Sequence, residues 1–249
     1  MRLLVLLAAI AMPVVAWFSN QGAFGPDQSE ISSRYPLLVQ PAGYAFSIWS
    51  LIFLLDIVYA LRQATGARKR DRLLARIAPA TALGFVCTTL WMPVYAQEWL
   101  WLCVLLIFVA LATLLWAAWT AHRGHADLWT RMALGLHAGW LSIAAILNLA
   151  QALLGEGVIP ADPGNQLGWS FVLLAVAAVL ALAANAAMHG AFSYALAAAW
   201  GFVGVTVALA RGDEAPMAGW TALALALALV VQTVWLRRGG RPRTRRAAR

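Results

Sequence analysis

The sequence predicts an all-α fold, a polytopic membrane helix bundle of about eight transmembrane helices. Three observations predict it. Hydrophobic residues make up 63% of the chain and charged ones only 11%, where a soluble domain carries about 25% charged residues. Apolar runs of about 20 residues, long enough to cross a hydrocarbon core ~30 Å thick, recur along the chain. The segments between them are too short for a soluble domain. Backbone groups find no water inside a bilayer, so each run must pair its own N–H and C=O groups as a helix.

The first run, 3–19, starts after Arg2 and has the outline of a secretory signal. It lacks a clean small-x-small cleavage site, and Pro13, Trp17 and Phe18 carry the apolar stretch onward, so it reads as a retained helix. A long connection, 20–41, follows, with Gly22, Gly25, Pro26, Pro36 and Pro41. It exceeds what joining two helices needs, and it reads either as a disordered linker or as a loop folded over the bundle. Tyr35, Leu37, Leu38 and Val39 favour the folded loop. The remaining runs are 44–62, 77–96, 99–120, 131–154, 167–188, 191–210 and 217–236. From 99 to 210 they are rich in alanine and leucine with scattered glycine and serine, which suits close helix packing in lipid. The Gly/Pro-containing loop 155–166 divides a five-helix module, 1–154, from a three-helix extension, 155–236, and a basic tail occupies 237–249.

Charge orients the bundle. Arg2, Arg62, Arg68, Lys69, Arg70, Arg72, Arg76, Arg123, Arg131 and the seven arginines of the tail fall on one side. Arg34 and Arg211 fall on the other, accompanied by Asp27, Glu30, Glu98, Glu156, Asp162, Asp213 and Glu214. The positive-inside rule then places both termini in the cytoplasm, as an even helix count requires. The net charge of +8 is explained by this asymmetry, and the tail by anionic headgroups, so nucleic acid is not an expected partner. Cys87 and Cys103 both fall in apolar runs and read as small buried residues, with no disulfide or metal site.

Three segments carry the candidate site. On the second helix, Trp49, Phe53, Asp56 and Ala60 are spaced four, three and four apart and share a face. Asp56 falls near mid-membrane, where an ionised carboxylate is expensive and marks a pathway or a ligand site. Its alternative is a protonated or hydrogen-bonded carboxyl that pins helix packing. On the third helix, Thr88 and Trp91 share a face, and Pro93 just beyond loosens the helical ladder and widens the exterior mouth. On the fifth, Trp140, Ala144 and Asn148 repeat at four-residue spacing: an indole, a gap for close approach and a buried amide that needs a partner. Such a stripe also serves lipid contact or core packing. The polar company of Asp56, Thr88, Ser142 and Asn148 favours a cavity for a flat apolar ligand.

At these residues the chain resembles the TspO/MBR family, the tryptophan-rich sensory proteins related to the mitochondrial translocator protein. That family's pattern runs Pro-Pro-Gly-Trp-x-Phe-Gly-Pro-x-Trp-x-x-x-Tyr into its second helix, Asn-x-x-Trp-x-Pro in the third and Trp-x-x-x-Ala-x-x-x-Asn in the fifth. Here the first is one residue shorter between Gly43 and Trp49, with Tyr44 for tryptophan and Phe53 for tyrosine. The second has Thr88 for asparagine before Trp91 and Pro93, and the third is kept at Trp140, Ala144 and Asn148. The resemblance covers roughly 1–154 and implies a five-helix bundle with a pocket open towards the first exterior loop. It implies porphyrins, haem precursors, sterols or synthetic aromatics as ligands. Trp49, Trp91, Trp140, Ala144 and Asn148 would line the pocket, with Phe53 and Thr88 at positions that have lost a hydroxyl and an amide. Light-dependent porphyrin breakdown, which some members promote, would fall to Trp49 and Trp140.

The resemblance makes a porphyrin or haem-like molecule a ligand, and no resident cofactor is fixed by the sequence. Membrane lipids are the other expected partner, and a homodimer is compatible with the chain. Leu55, Tyr59 and Arg62 fit a proposed cholesterol-recognition spacing, but equally form an interfacial anchor. His137 and His189 each read as solitary, and no nucleophile–base pair or phosphate loop supports hydrolase or kinase chemistry. A second reading, a proton- or cation-coupled transporter of small solutes, would use Asp56 as its ion site. The two halves show no internal symmetry in its favour. A third reading, a membrane scaffold, suits the three-helix extension. The implied location is a bacterial cytoplasmic membrane.

Overall fold

The computed structural model describes residues 1–210 and 215–239. Arg211, Asp213 and Glu214, counted above in the charge asymmetry, and the tail beyond 239 lie outside the described residues. The described chain is helical throughout: α1 (Arg2–Asn20), α2 (Gln28–Arg34), α3 (Ile48–Ala64), α4 (Arg72–Ala96), α5 (Leu100–Arg123), α6 (Leu128–Gly155), α7 (Pro163–Ala187), α8 (Phe192–Leu209) and α9 (Pro216–Gly239). All but α2 are long and apolar enough to cross a membrane, giving the eight expected spans.

Two helix starts precede their apolar runs because a side chain caps the backbone. α4 begins at Arg72, not near 77, because the Asp71 carboxylate accepts from the N–H groups of Leu73 and Leu74 at 2.8 and 3.2 Å. Asp127 does the same for α6 through Trp129 N–H at 3.1 Å. The run expected from 44 opens as a 3-10 turn, Gly43–Ser47, before α3 proper. There Ala42 N–H donates to the Gly204 carbonyl on α8 at 2.9 Å, and the Trp200 indole donates to the Ala45 carbonyl at 2.9 Å. A side chain at Gly204 would press on Pro41 and Ala45 at 2.9 Å, so glycine is what lets this turn lie against α8.

The two ends of the bundle are chemically distinct. At one, the Arg2 guanidinium donates to the carbonyls of Gln63 and Asp71 at 2.7 Å and of Arg68, closing α1 onto the turn before α4. Asp127 there binds Arg68 at 2.8 Å and lies 3.6 Å from Arg62. Burial opposes its ionisation, but the Thr130 hydroxyl with Arg68 and Arg62 holds its carboxyl below the usual range. At the other end, Arg34 pairs with Glu98 and Glu30, Tyr35 O–H donates to Glu98 at 2.9 Å, and the Trp101 indole donates to Glu156 at 3.0 Å. Burial first, then Glu98, raises the Tyr35 phenol above its ordinary value. Exposed indoles ring both ends, Trp17, Trp99, Trp101 and Trp220 at the acidic one, Trp116, Trp119, Trp129 and Trp235 at the basic one. That is the arrangement of interfacial aromatic belts.

α6 is the axis of the bundle. Its most apolar window is 83% buried, against 28% for α1 and 33% for α7 and α9. α3, α5, α7 and α8 all pack on it. Helices in lipid approach most closely over small residues, and Gly135 and Gly139 supply that surface towards α8. A Cβ at Gly139 would overlap the Tyr194 carbonyl oxygen, and one at Gly135 the Ser193 hydroxyl. Tyr59, offered above as an interfacial anchor or sterol contact, is 1% exposed and points into the bundle. Its place on the inward face of α3, beside Asp56 and Gln63, rules out both readings.

Gly139→Ala is expected to destabilise the protein by about 1–3 kcal/mol through overpacking, seen as a lower thermal midpoint in detergent. Gly168→Ala, whose added methyl meets nothing within 4 Å, is the matched control and should lose nothing. Equal losses would contradict the close α6–α8 contact. Reporters placed in the loop 155–166 and after α9 should report opposite sides of the membrane, as an odd number of spans between them demands.

Candidate functional site

The aromatic segments converge. The turn Gly43–Ser47 delivers Phe46, and the first turn of α3 delivers Trp49, against Trp140 on α6. Phe46 and Trp49 both meet the Trp140 indole edge-on, with ring centroids 5.8 and 6.1 Å apart. This favours ring-edge against ring-face contact and holds Trp140 at 1% exposure. From α4, Trp91 stacks on Tyr95 at 4.6 Å and donates its indole N–H to the Asn148 side-chain oxygen at 2.9 Å. Asn148 thereby finds the partner its burial requires.

These side chains wall a narrow cavity of about 30 Å³. Trp49, Thr88, Trp91, Trp140, Ala144 and Asn148 all line it, with Leu141, Leu147 and Gln151 completing the α6 side and Gln28 and Ser32 of α2 roofing it. It adjoins a cleft of about 830 Å³ between α1, α3, α4 and the loop 20–41. Trp49, Thr88, Trp91 and Tyr95 face both spaces. Phe53 lines the cleft alone and stacks on Trp49 at 5.3 Å. The loop is folded over the bundle: Ile31 is buried, and the Gln166 side chain on α7 binds Leu38 N–H and the Pro36 carbonyl, each at 3.1 Å.

Asp56 lies elsewhere. It is wholly buried, lines neither space, and pairs through Oδ2 with His137 Nδ1 on α6 at 2.7 Å. His137 Nε2 lies 3.4 Å from the Thr88 hydroxyl, which faces the cavity. The imidazole is held between Phe85, stacked at 5.7 Å, and the edge of Trp49 at 5.7 Å. His137 lines neither space but backs the cavity wall through Thr88 and Trp49, contrary to its reading as solitary. The sequence did carry a signal: 137, 141, 144 and 148 continue one helical stripe. Ser142, counted above among the polar company, instead bonds Tyr194 on α8 at 2.8 Å and takes no part in the cavity.

Chemically, the site offers indole faces, an apolar floor and few polar atoms. Among the described residues, the Trp140 indole N–H and the Asn148 amide nitrogen are buried without a protein partner. Both belong to cavity-lining residues, so a molecule reaching it with an acceptor oxygen would meet donors. Trp91→Phe keeps an aromatic ring but orphans the Asn148 oxygen as well. It is expected to cost about 1–3 kcal/mol of stability by thermal denaturation. A fully stable Trp91→Phe protein would show that this hydrogen bond does not hold α4 to α6.

The family described as TSPO-like protein matches residues 2–235 of the chain. The match runs through α7, α8 and most of α9, well past the 1–154 over which the motifs are visible. No curated protein matches the chain, and no solved structure does. With eight apolar spans and a family match over nearly its whole length, the chain is an integral membrane protein that belongs to the TSPO-like family.

Proposed function

We propose that this protein is a membrane sensory or binding protein for porphyrin-like or other flat, apolar ligands, held between Trp49, Trp91 and Trp140. The observation that carries the reading is the meeting of these three indoles, from α3, α4 and α6, on one cavity next to a larger cleft. The cleft's volume lies in the ~300–1,000 Å³ range of small-molecule sites, and the inner cavity's does not. The body of a flat ring therefore sits in the cleft, against Phe53 and Trp49, with one edge directed at Trp140 and Asn148. A carboxylate or carbonyl on that edge would satisfy the two free donors. Light-dependent breakdown of the ligand would fall to Trp49 and Trp140, whose rings meet edge-on at 6.1 Å.

In this reading residues 1–154 supply the ligand-contacting side chains and 155–236 brace them. Trp200 and Gly204 on α8 hold the turn that presents Phe46 and Trp49, which supports that division of labour. The charge asymmetry supports both termini in the cytoplasm of a bacterial cell, with the cleft opening at the acidic, exterior end.

A porphyrin should quench tryptophan fluorescence and bind at micromolar strength, ~8 kcal/mol, mostly from apolar burial. Stacking adds only ~0.5–1.5 kcal/mol per aromatic pair, so no single indole is indispensable through stacking alone. Trp140→Ala should still weaken binding clearly, because it also opens a void in the wall. Trp235→Ala, at a site 71% exposed on α9, should leave binding unchanged. Equal losses at the two positions would mean that the porphyrin merely partitions into the membrane.

A further inference from the structure

Among the described residues, the cavity and the cleft are lined by a single charged side chain, and its charge is negative. Asp27 lines the cleft at its acidic end, where its carboxylate accepts the Glu30 N–H at 2.8 Å and caps α2. No described arginine, lysine or histidine faces either space. Arg34 on α2 is turned to two carboxylates, Glu30 at 2.8 Å and Glu98, so one cation against two anions leaves a further negative charge there. Behind the wall, His137 is engaged with Asp56 at 2.7 Å and reaches neither space.

Hydrogen-bonding capacity is sorted along the site as well. The inner cavity presents donors without protein partners, the Trp140 indole N–H and the Asn148 amide nitrogen, on residues only 1% and 2% exposed. The cleft presents acceptors, the Asp27 carboxylate and the buried, unpartnered Gln40 Oε1. A ligand carboxylate is poorly served at both. Turned inward, it gives up its water for two neutral donors, with no cation to offset the lost hydration. Turned outward, it meets Asp27 and an acceptor that has no hydrogen to offer. An uncharged carbonyl suits the inner donors without that desolvation, and an N–H or O–H suits the outer acceptors.

We propose that the site selects its ligand by charge. The cation-free lining and Asp27 favour flat molecules with uncharged polar edges, a carbonyl inward and a donor outward, over the same rings bearing carboxylates. Asp27 is the specificity-determining residue. The inference rests on the ligand reading above and narrows it, since of the two acceptors that would satisfy Trp140 and Asn148 only the neutral one escapes both penalties. Like charges ~8 Å apart, at an effective dielectric constant between ~80 and ~20, weaken binding by roughly twofold to thirtyfold. Salt screens that repulsion, with a Debye length of ~10 Å at 0.1 M.

The test uses the full chain in nanodiscs of zwitterionic lipid and two probes with one ring, a dicarboxylate porphyrin and its dimethyl ester, each titrated by quenching of tryptophan fluorescence. The readout is the dissociation constant of the diacid divided by that of the ester. Partitioning into the lipid is common to every variant and cancels when these ratios are compared. Asp27→Asn keeps a good helix cap but removes the charge, and should lower the ratio by about threefold or more at low salt. Gln28→Lys puts a cation where α2 faces both cavity and cleft, and should lower it further. Trp235→Ala should keep the wild-type ratio. Added salt should lower the ratio more in wild type than in Asp27→Asn, a comparison that also shows whether the charge acts through space. Ratios equal to wild type in both Asp27→Asn and Gln28→Lys would overturn the proposal. If Trp140→Ala then still weakened ester binding, the ligand reading would stand and charge selection alone would fall. Ester binding indifferent to Trp140 would remove both.

Discussion

The contact of α6 with every helix around it is the constraint on which the rest of this structure depends. In lipid, apolar side chains gain nothing from helix association that the acyl chains do not already give them. What holds such a bundle is close packing and the pairing of polar groups that have no water to turn to. α6 provides both. Gly135 and Gly139 admit the backbone of α8, His137 binds Asp56 on α3, and Asn148 takes the Trp91 indole from α4. α3 and α4 carry part of the cavity wall and α8 holds the turn before α3, so each of these contacts keeps the wall in register with Trp140.

This explains why the cavity depends on α7 and α8 as well as on the helices that line it. The turn that presents Phe46 and Trp49 is fastened to α8 by Trp200 and by the carbonyl of Gly204, and the roof over the cleft is fastened to α7 by Gln166. The family match across 2–235 fits a sequence whose last three helices are tied to its first five.

Much of this was legible in the sequence, for a physical reason. Hydropathy reports spans because the bilayer demands them, and the eight runs matched the eight helices to within a few residues. The early starts of α4 and α6 came from Asp71 and Asp127, whose capping carboxylates extend helices into polar sequence where hydropathy is blind. Helical spacing put Trp49, Trp91 and Trp140 each on a face with a polar neighbour, while the expectation that they meet rested on the resemblance and not on spacing within any one helix. His137 was missed because a solitary histidine gains meaning only from what stands opposite, and Asp56 is 81 residues away in sequence. Tyr59 was misread for the same reason: spacing places it on the Asp56 face, yet the match to a lipid motif drew it outward. Gly135 and Gly139, four apart, were a packing signal open to a reader who weighed α6 against a later helix and not only against earlier ones.

The proposed function puts a flat ligand in the space between α1, α3, α4 and α6 with its edge on Trp140 and Asn148. A structure of the full chain in lipid nanodiscs with a bound porphyrin tests it most directly. Ligand density is expected in the cleft, in contact with Trp49 and Phe53, with a polar group within hydrogen-bond distance of the Asn148 amide nitrogen. Density confined to the lipid-facing surface near Trp235, with the cleft unchanged, would contradict it.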